Sequence, residues 1–126
     1  MFVGNYFKKI RSIYKRHYFS GLSFNSLTCK EDCIFFAIKG TKADGSGFID
    51  QAIKNGAKTI ISNRKFEGVK KKILYLKSRN IRKLLSETAY KIIKNKPKNL
   101  IAVTGTNGKS SIADFYLQIL KLNKKK

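Results

Sequence analysis

The segment 104–110, with the sequence TGTNGKS, constrains the fold more than any other part of the chain. An apolar run precedes it at 100–103, and a helical pattern of apolar residues follows it at 110–122. Gly105 and Gly108 allow backbone angles that other residues disfavour, so the chain can turn sharply here. Backbone N–H groups in such a turn point inward, beside the positive end of the following helix. The pattern therefore predicts a strand, a phosphate-binding loop and a helix.

Two side chains at the end of this loop have the chemistry that a nucleotide triphosphate requires. Lys109 supplies a mobile positive charge for the β- and γ-phosphates, and Ser110 supplies a hydroxyl ligand for Mg²⁺. The strict pattern G-x4-G-K-[ST] would place glycine where Val103 stands. A chance Gly-Lys-Ser after a strand is the alternative, but the strand before the loop and the amphipathic helix after it favour a phosphate site.

The residues before the loop alternate between β-type runs and helical stripes, and this alternation predicts an α/β fold. The most regular stripe has apolar residues spaced as on one helix face, with Asn80 as its N-cap and Pro97 beyond its end. A weaker pattern indicates a short amphipathic helix at the N-terminus. The predicted strands are 33–38, 57–62 and 73–76, and the predicted helices are 2–18, 48–55 and 81–93.

These patterns divide the chain into three parts. We expect an N-terminal segment at 1–20, a small domain at 21–98 and the incomplete start of a second domain at 99–126. The third part holds one predicted strand and one helix. Such a unit has too little structure to cover both faces of a parallel strand.

The chain is strongly basic, with 28 Lys and Arg against 7 Asp and Glu, a formal net charge of +21. Such a charge can indicate nucleic-acid binding through backbone phosphates. The lysines are spread along the chain, however, and form true runs only at 70–72 and 124–126. No aromatic-studded RNA-reading signature accompanies them. A solvated basic surface is therefore the favoured interpretation, and a nucleic-acid partner is not expected.

Targeting and metal-binding signals are weak. Basic residues interrupt the apolar residues of the first 20 positions, which is unlike a secretory signal, and no apolar run is long enough to span a membrane. We therefore expect a cytoplasmic protein without membrane insertion. Cys29 and Cys33 are the only cysteines and His17 is the only histidine, too few for a closed zinc site. Two reduced thiols beside a strand are predicted.

The loop resembles the ATP loop of the Mur ligases, whose usual form is T-G-T-N-G-K-[TS]. A second block agrees with it: IFFAIKG at 34–40 and ADG at 43–45, followed by similar short matches up to Ala57. This block looks like the N-terminal nucleotide-sugar domain of the same family. Asn107 and the segment 111–115 resemble the members that add the third residue of the peptide stem.

The resemblance implies a small N-terminal nucleotide-sugar-binding α/β domain, followed by the first strand–P-loop–helix unit of a truncated parallel-sheet ATP-binding domain. It also implies ATP and Mg²⁺ as cofactors and UDP-MurNAc-L-Ala-D-Glu as the partner substrate. That substrate would receive a diamino acid, meso-diaminopimelate or lysine, in peptidoglycan precursor synthesis. The implied nucleotide-sugar residues are Ser26, Thr41, Lys42 and Ala43, although the last three also fit a plain surface turn. The implied ATP-phosphate residues are Gly105, Thr106, Asn107, Gly108, Lys109, Ser110 and Ser111, with Ser110 also the Mg²⁺ ligand.

The sequence departs from the family pattern at two places. The usual D-S-R reads Asn25-Ser26-Leu27, and the usual P-G-D before the first strand reads Glu31-Asp32-Cys33. The family's central-domain metal site and its amino-acid-receiving domain have no counterpart in these residues. We therefore expect no catalytic residue within the chain and no activity from the chain alone. The dipeptide-adding relative, a basic nucleic-acid-binding protein and a non-catalytic remnant stay open as alternatives.

Overall fold

Short β-branched runs and two amphipathic stripes form most of the secondary structure of the chain. The computed structural model describes residues 1–7, 10–41 and 43–123. The chain divides into two compact units, Met1–Lys94 and Asn95–Lys126. Which ligand each unit binds stays a prediction. The elements are β1 Leu22–Ser23, β2 Ile34–Phe36, α1 Ile49–Lys54, β3 Thr59–Ser62, β4 Gly68–Lys70, β5 Ile73–Lys77, α2 Ile81–Ile92 and α3 Lys109–Leu122.

The first unit is built on a five-stranded sheet with the order β1-β2-β3-β5-β4. The pairs β1–β2, β2–β3 and β3–β5 are parallel, and β4 pairs with β5 in the antiparallel direction. Phe35 lies opposite Ile60, and Ile60 lies opposite Tyr75. Every residue of β2 and β3 is buried, as expected for parallel strands covered on both faces. The predicted α/β class is confirmed.

Alternate residues of the strands enter two separate hydrophobic clusters. Ile34 and Phe36 pack with the N-terminal segment and with Ile81 at the start of α2. Phe35, between them, packs on the other face with Ala52 of α1. Successive side chains of a strand point to opposite faces, so the short run 34–36 contributes to both cores.

The helix predicted at 2–18 is wrong. The segment forms two 3-10 turns, Val3–Asn5 and Ser12–Tyr14, and folds back on itself. The Val3 amide donates to the His17 carbonyl at 2.9 Å, and the Gly4 amide donates to the Lys15 carbonyl at 2.9 Å. A Cβ at Gly4 would lie 2.7 Å from the Lys15 Cβ, so this close approach requires glycine. Burial of Val3 against the sheet outweighs the weak helical pattern.

Two edge strands escaped prediction, β1 and β4, because each has only two or three residues. The turn between β4 and β5 is formed by Lys71 and Lys72, which have φ angles of 49° and 64°. Tight hairpin turns usually place glycine or asparagine at such left-handed positions. The lysine run therefore hid the hairpin, whereas the other strands and helices of this unit lie within a few residues of their predicted bounds.

In the second unit, α3 forms as predicted but the strand predicted at 100–103 is wrong. Leu100 is 82% exposed, and among the described residues the segment 100–103 forms no strand. A helix satisfies its backbone within itself, whereas a parallel strand requires a neighbour for its hydrogen bonds. Across the described ranges, no helix is long and apolar enough to cross a bilayer.

Candidate functional site

The predicted phosphate loop lies directly at the start of α3. Gly105 has a φ angle of 149°, and Gly108, the N-cap of α3, has a φ angle of 74° in the left-handed region. Among the residues that the structure describes, no heavy atom lies within 4 Å of a Cβ built on Gly108. The requirement for glycine there is therefore one of backbone angle rather than of space.

The beginning of α3 is open to an anion. Its N-cap residue, Gly108, makes no side-chain cap, and its first internal hydrogen bond runs from the Ile112 amide to the Gly108 carbonyl at 3.0 Å. The amides of Lys109, Ser110 and Ser111 precede that bond, and first-turn amides have no acceptor within a helix. These N–H groups and the helix dipole favour a negatively charged ligand at this end.

The ammonium group of Lys109 is held over the loop. Its Nζ donates to the Gly105 carbonyl and, at 3.1 Å, to the Thr106 carbonyl. The loop thus curves around the amine, and the positive charge lies beside the open helix start. All these residues are exposed, so the site is accessible to a nucleotide.

A second candidate site is a cleft of about 610 Å³ within the first unit. Ser26, Thr41 and Ala43 all line it, although the sequence separates Ser26 from the other two. Lys42, the fourth residue implied for the nucleotide-sugar, lies outside the described residues. The full described lining is Phe24, Asn25, Ser26, Leu27, Phe35, Ile38, Gly40, Thr41, Ala43, Gly45, Phe48, Gln51 and Arg82.

Ser26 lines this cleft, is buried, and is held by two side-chain hydrogen bonds. Its hydroxyl donates to the Gln51 Oε1 of α1 at 2.7 Å, and the Asn55 side-chain amide donates to its carbonyl at 2.8 Å. The Asn25 side chain accepts from the Leu27 amide at 3.0 Å and begins the 3-10 turn that carries Ser26. Sequence analysis did not assign Gln51 or Asn55 to the site, although both stand in the block that resembles the family.

The turn that carries Thr41 and Ala43 is anchored to the end of β2. The Gly40 amide donates to the Ala43 carbonyl at 2.8 Å, and the Gly45 amide donates to the Ile38 carbonyl at 2.9 Å. A Cβ on Gly45 would lie 2.6 Å from the Ile38 nitrogen, so only glycine permits this approach. The chain therefore holds the turn at the rim of the cleft.

Asp44 stabilises the next step of the chain. Its Oδ1 accepts a hydrogen bond from the Ser46 amide at 2.8 Å and so caps the 3-10 turn Gly45–Phe48. That bond holds the pKa of the Asp44 carboxyl below its ordinary value of 3.8, and the positive charges of Lys39 and Arg64 act in the same direction. Asp44 is therefore charged and structurally engaged beside the cleft.

The rim of the cleft combines apolar surface with one cation. Phe24 is 68% exposed and Leu27 is 71% exposed, and both line the opening with Phe48. Arg82, in the first turn of α2, donates from Nη2 to the Lys39 carbonyl at 3.2 Å. No sequence signal connected Arg82 with Ser26, because only the tertiary fold places α2 beside the turn at 39–44.

Cys29 and Cys33 are both buried free thiols. Burial raises the pKa of the Cys33 thiol to about 12, and a hydrogen bond with Cys29 acts in the same direction. Within 1–7, 10–41 and 43–123, no group of three or more His, Cys, Asp or Glu side chains could hold a metal ion.

Curated relatives match nearly the whole chain. It is 44% identical over 117 residues to the UDP-N-acetylmuramoyl-L-alanyl-D-glutamate–2,6-diaminopimelate ligase of Rickettsia prowazekii, and 42% identical over 117 residues to that of Rickettsia montanensis. Each match covers 93% of this chain and 24% of the relative. The chain therefore spans about a quarter of the length of these relatives.

A solved structure supports the same grouping. The MurF ligase from Thermotoga maritima, determined in complex with ADP, is 30% identical with a TM-score of 0.61. The alignment covers 79% of this chain and 23% of that ligase. Residues 18–96, more than half of the chain, match the family described as "Mur ligase family, catalytic domain". The chain therefore belongs to the Mur ligase family.

Proposed function

We propose that this chain is the N-terminal part of an ATP-dependent ligase that adds a diamino acid to UDP-MurNAc-L-Ala-D-Glu in peptidoglycan precursor synthesis. The observation that carries the proposal is the cleft at which Ser26, Thr41 and Ala43 meet. The printed names of the relatives supply the substrate and the added amino acid, 2,6-diaminopimelate. Because the reaction consumes ATP, we place it in the cytoplasm.

The first unit has the chemistry of a nucleotide-sugar site. A neutral planar base can lie against the apolar surface of Phe24 and Leu27, while the polar groups of Thr41 and Ala43 remain for the sugar and phosphates. The hydrogen bond between Ser26 and Gln51 holds two of the lining residues together. In this proposal Ser26, Thr41, Lys42 and Ala43 contact the UDP-sugar.

The second unit has the chemistry of a triphosphate site. The loop amides of 105–108 and the first-turn amides of α3 donate to phosphate oxygens, and Lys109 neutralises the charge on the transferring phosphoryl group. Ser110, exposed on the first turn, fits Mg²⁺, because this ion takes few protein ligands beside phosphate oxygens and water. When bound, Mg²⁺ would neutralise phosphate charge during transfer.

The proposed reaction has two steps. The γ-phosphoryl group of ATP passes to the free carboxylate of the dipeptide substrate, and ADP leaves. The amine of the diamino acid then attacks the activated carbonyl and displaces phosphate, which forms the amide bond. This chain would contribute binding of both phosphorylated substrates, and the residues that receive the amine would belong to other parts of the ligase.

The proposal is tested by calorimetric titration of the chain with UDP-MurNAc-L-Ala-D-Glu. We expect binding at one site, with which UDP competes and GDP does not. Ala43→Trp, which fills the cleft, should abolish the binding, while Ala113→Trp on the exposed face of α3 should leave it unchanged. Absence of binding by the unmodified chain, with steeply salt-dependent binding to single-stranded DNA instead, would favour the nucleic-acid alternative.

A turnover assay tests the second part of the proposal. The chain alone, supplied with ATP, Mg²⁺, UDP-MurNAc-L-Ala-D-Glu and diaminopimelate, should form no amide product. Amide formation under these conditions would show that the chain contains the whole reaction machinery, contrary to the proposal.

A further inference from the structure

The cleft of the first unit has one charged side chain in its described lining, and that side chain is Arg82. The other lining residues are apolar or carry neutral polar groups. The ion pair found in the described ranges joins Lys83 to Glu87 and leaves Arg82 without a carboxylate partner. A positive charge lining a largely apolar cleft, without an anion of its own, has the chemistry to receive an anionic ligand.

The guanidinium group of Arg82 is positioned by the backbone. Its Nη2 donates to the Lys39 carbonyl at 3.2 Å, at the base of the turn that carries Thr41 and Ala43. An arginine has five N–H donors, so this neutral contact occupies one of them and leaves others for a ligand. Because Arg82 is in the first turn of α2, the same bond also links the chain at Lys39 to this helix.

We propose that Arg82 binds the diphosphate of the ligand in this cleft. The proposal rests on the proposed function, in which the cleft takes a UDP-sugar. Uridine is neutral, so the first anionic group beyond the base and ribose is the diphosphate. A cleft of about 610 Å³ has room for a nucleoside diphosphate. When the uridine lies in the cleft, Arg82 therefore meets the diphosphate before any carboxylate of the peptide.

The geometry also assigns Arg82 two separable effects. Its remaining N–H groups can donate to two phosphate oxygens at once, which a lysine ammonium does not reproduce. Its bond to the Lys39 carbonyl positions the turn at 39–44, which affects every ligand of the cleft. Uridine without phosphate reports only the second effect, whereas UDP reports both.

The test compares the dissociation constants of UDP and uridine for the unmodified chain, Arg82→Ala, Arg82→Lys and Arg79→Ala at one ionic strength. Arg79→Ala is the matched control, because it removes the same charge three positions earlier from an exposed residue outside the cleft lining. We expect Arg82→Ala to weaken the binding of UDP about 10- to 100-fold, because charge-assisted hydrogen bonds are lost. The binding of uridine should weaken by less than about 3-fold, because a single neutral hydrogen bond contributes little net free energy.

The two remaining variants complete the pattern. Arg82→Lys should recover only part of the UDP affinity, and Arg79→Ala should change it by less than about 3-fold, the effect of a screened surface charge. The proposal would be overturned if Arg82→Ala lost UDP and uridine affinity equally. It would also be overturned if Arg79→Ala lost as much UDP affinity as Arg82→Ala. If the unmodified chain binds neither ligand, the proposed function itself fails; if it binds both and Arg82→Ala changes neither, only the role of Arg82 fails.

Discussion

The two units of the chain differ in what stabilises their secondary structure. In Met1–Lys94 the central strands are buried on both faces between two hydrophobic clusters. In 95–123 none of the described residues is buried, and Leu122 at the end of α3 is 83% exposed. A glycine loop and a helix need only local interactions, and both form in the second unit. A parallel strand needs neighbouring strands, and the run at 100–103 forms no strand.

The starts of α2 and α3 show the same difference at single residues. The Asn80 side chain accepts a hydrogen bond from the Lys83 amide at 3.0 Å, so it closes the start of α2. Gly108 has no side chain with which to close the start of α3. One helix start therefore stabilises the fold, and the other leaves its amides available to a ligand.

The largest expected difference between the units is in the free energy of unfolding that is lost when one aromatic ring is removed from each. Phe36 is fully buried in the sheet, whereas Phe115 on α3 is 63% exposed. Phe36→Ala should lower the free energy of unfolding by about 3–5 kcal/mol, because it removes buried apolar surface and leaves a cavity. Phe115→Ala should change it by less than about 0.5 kcal/mol, as for most surface substitutions.

Chemical denaturation followed by circular dichroism measures both variants. Equal losses in the two would mean that α3 shares the stability of a core, and the contrast between the units would then be wrong.

An intermediate effect is expected from the two helix starts. Asn80→Ala should lower the free energy of unfolding by about 1 kcal/mol, because the Lys83 amide loses its acceptor. Asn107→Ala, an identical truncation next to Gly108, is the matched control and should have little effect, since no side chain caps α3. Urea denaturation compares the two, and a larger loss for Asn107→Ala would contradict the assignment of the caps.

The smallest effect is a pH dependence that belongs to the first unit. Burial lowers the pKa of His17 below its ordinary value of 6.5, and its buried Nε2 has no hydrogen-bond partner among the described residues. The folded state therefore disfavours the protonated ring. Its stabilising contribution is complete above pH 6.5 and decreases as the pH falls from 6.5 toward the lower, folded-state pKa.

His17→Gln, which does not titrate, isolates this contribution. Between about pH 7.5 and about pH 5.5 the unmodified chain should lose more unfolding free energy than the variant. Denaturation curves at both pH values measure the difference. An equal loss in the two proteins would show that His17 is not responsible for it.

The sequence was sufficient where the signal is local, and it failed where distant segments decide the structure. The stripe at 81–93, the Asn80 cap and the glycine loop are local, and the structure forms all three. The N-terminal segment takes its form from pairing between Val3 and His17, which no periodicity reveals. The cleft followed the same rule. Family resemblance implied Ser26 and the turn at 41–43, whereas Arg82 came within reach only through the packing of α2.

Amide chemical-shift mapping of the full chain, titrated first with UDP and then with ADP and Mg²⁺, tests most directly the claim that the two units bind different phosphorylated ligands. UDP should shift the amides around Ser26, the turn at 39–45 and Arg82. ADP with Mg²⁺ should shift those of 105–111. Shifts at 105–111 with UDP but not with ADP, or no localised shifts with either ligand, would contradict the account.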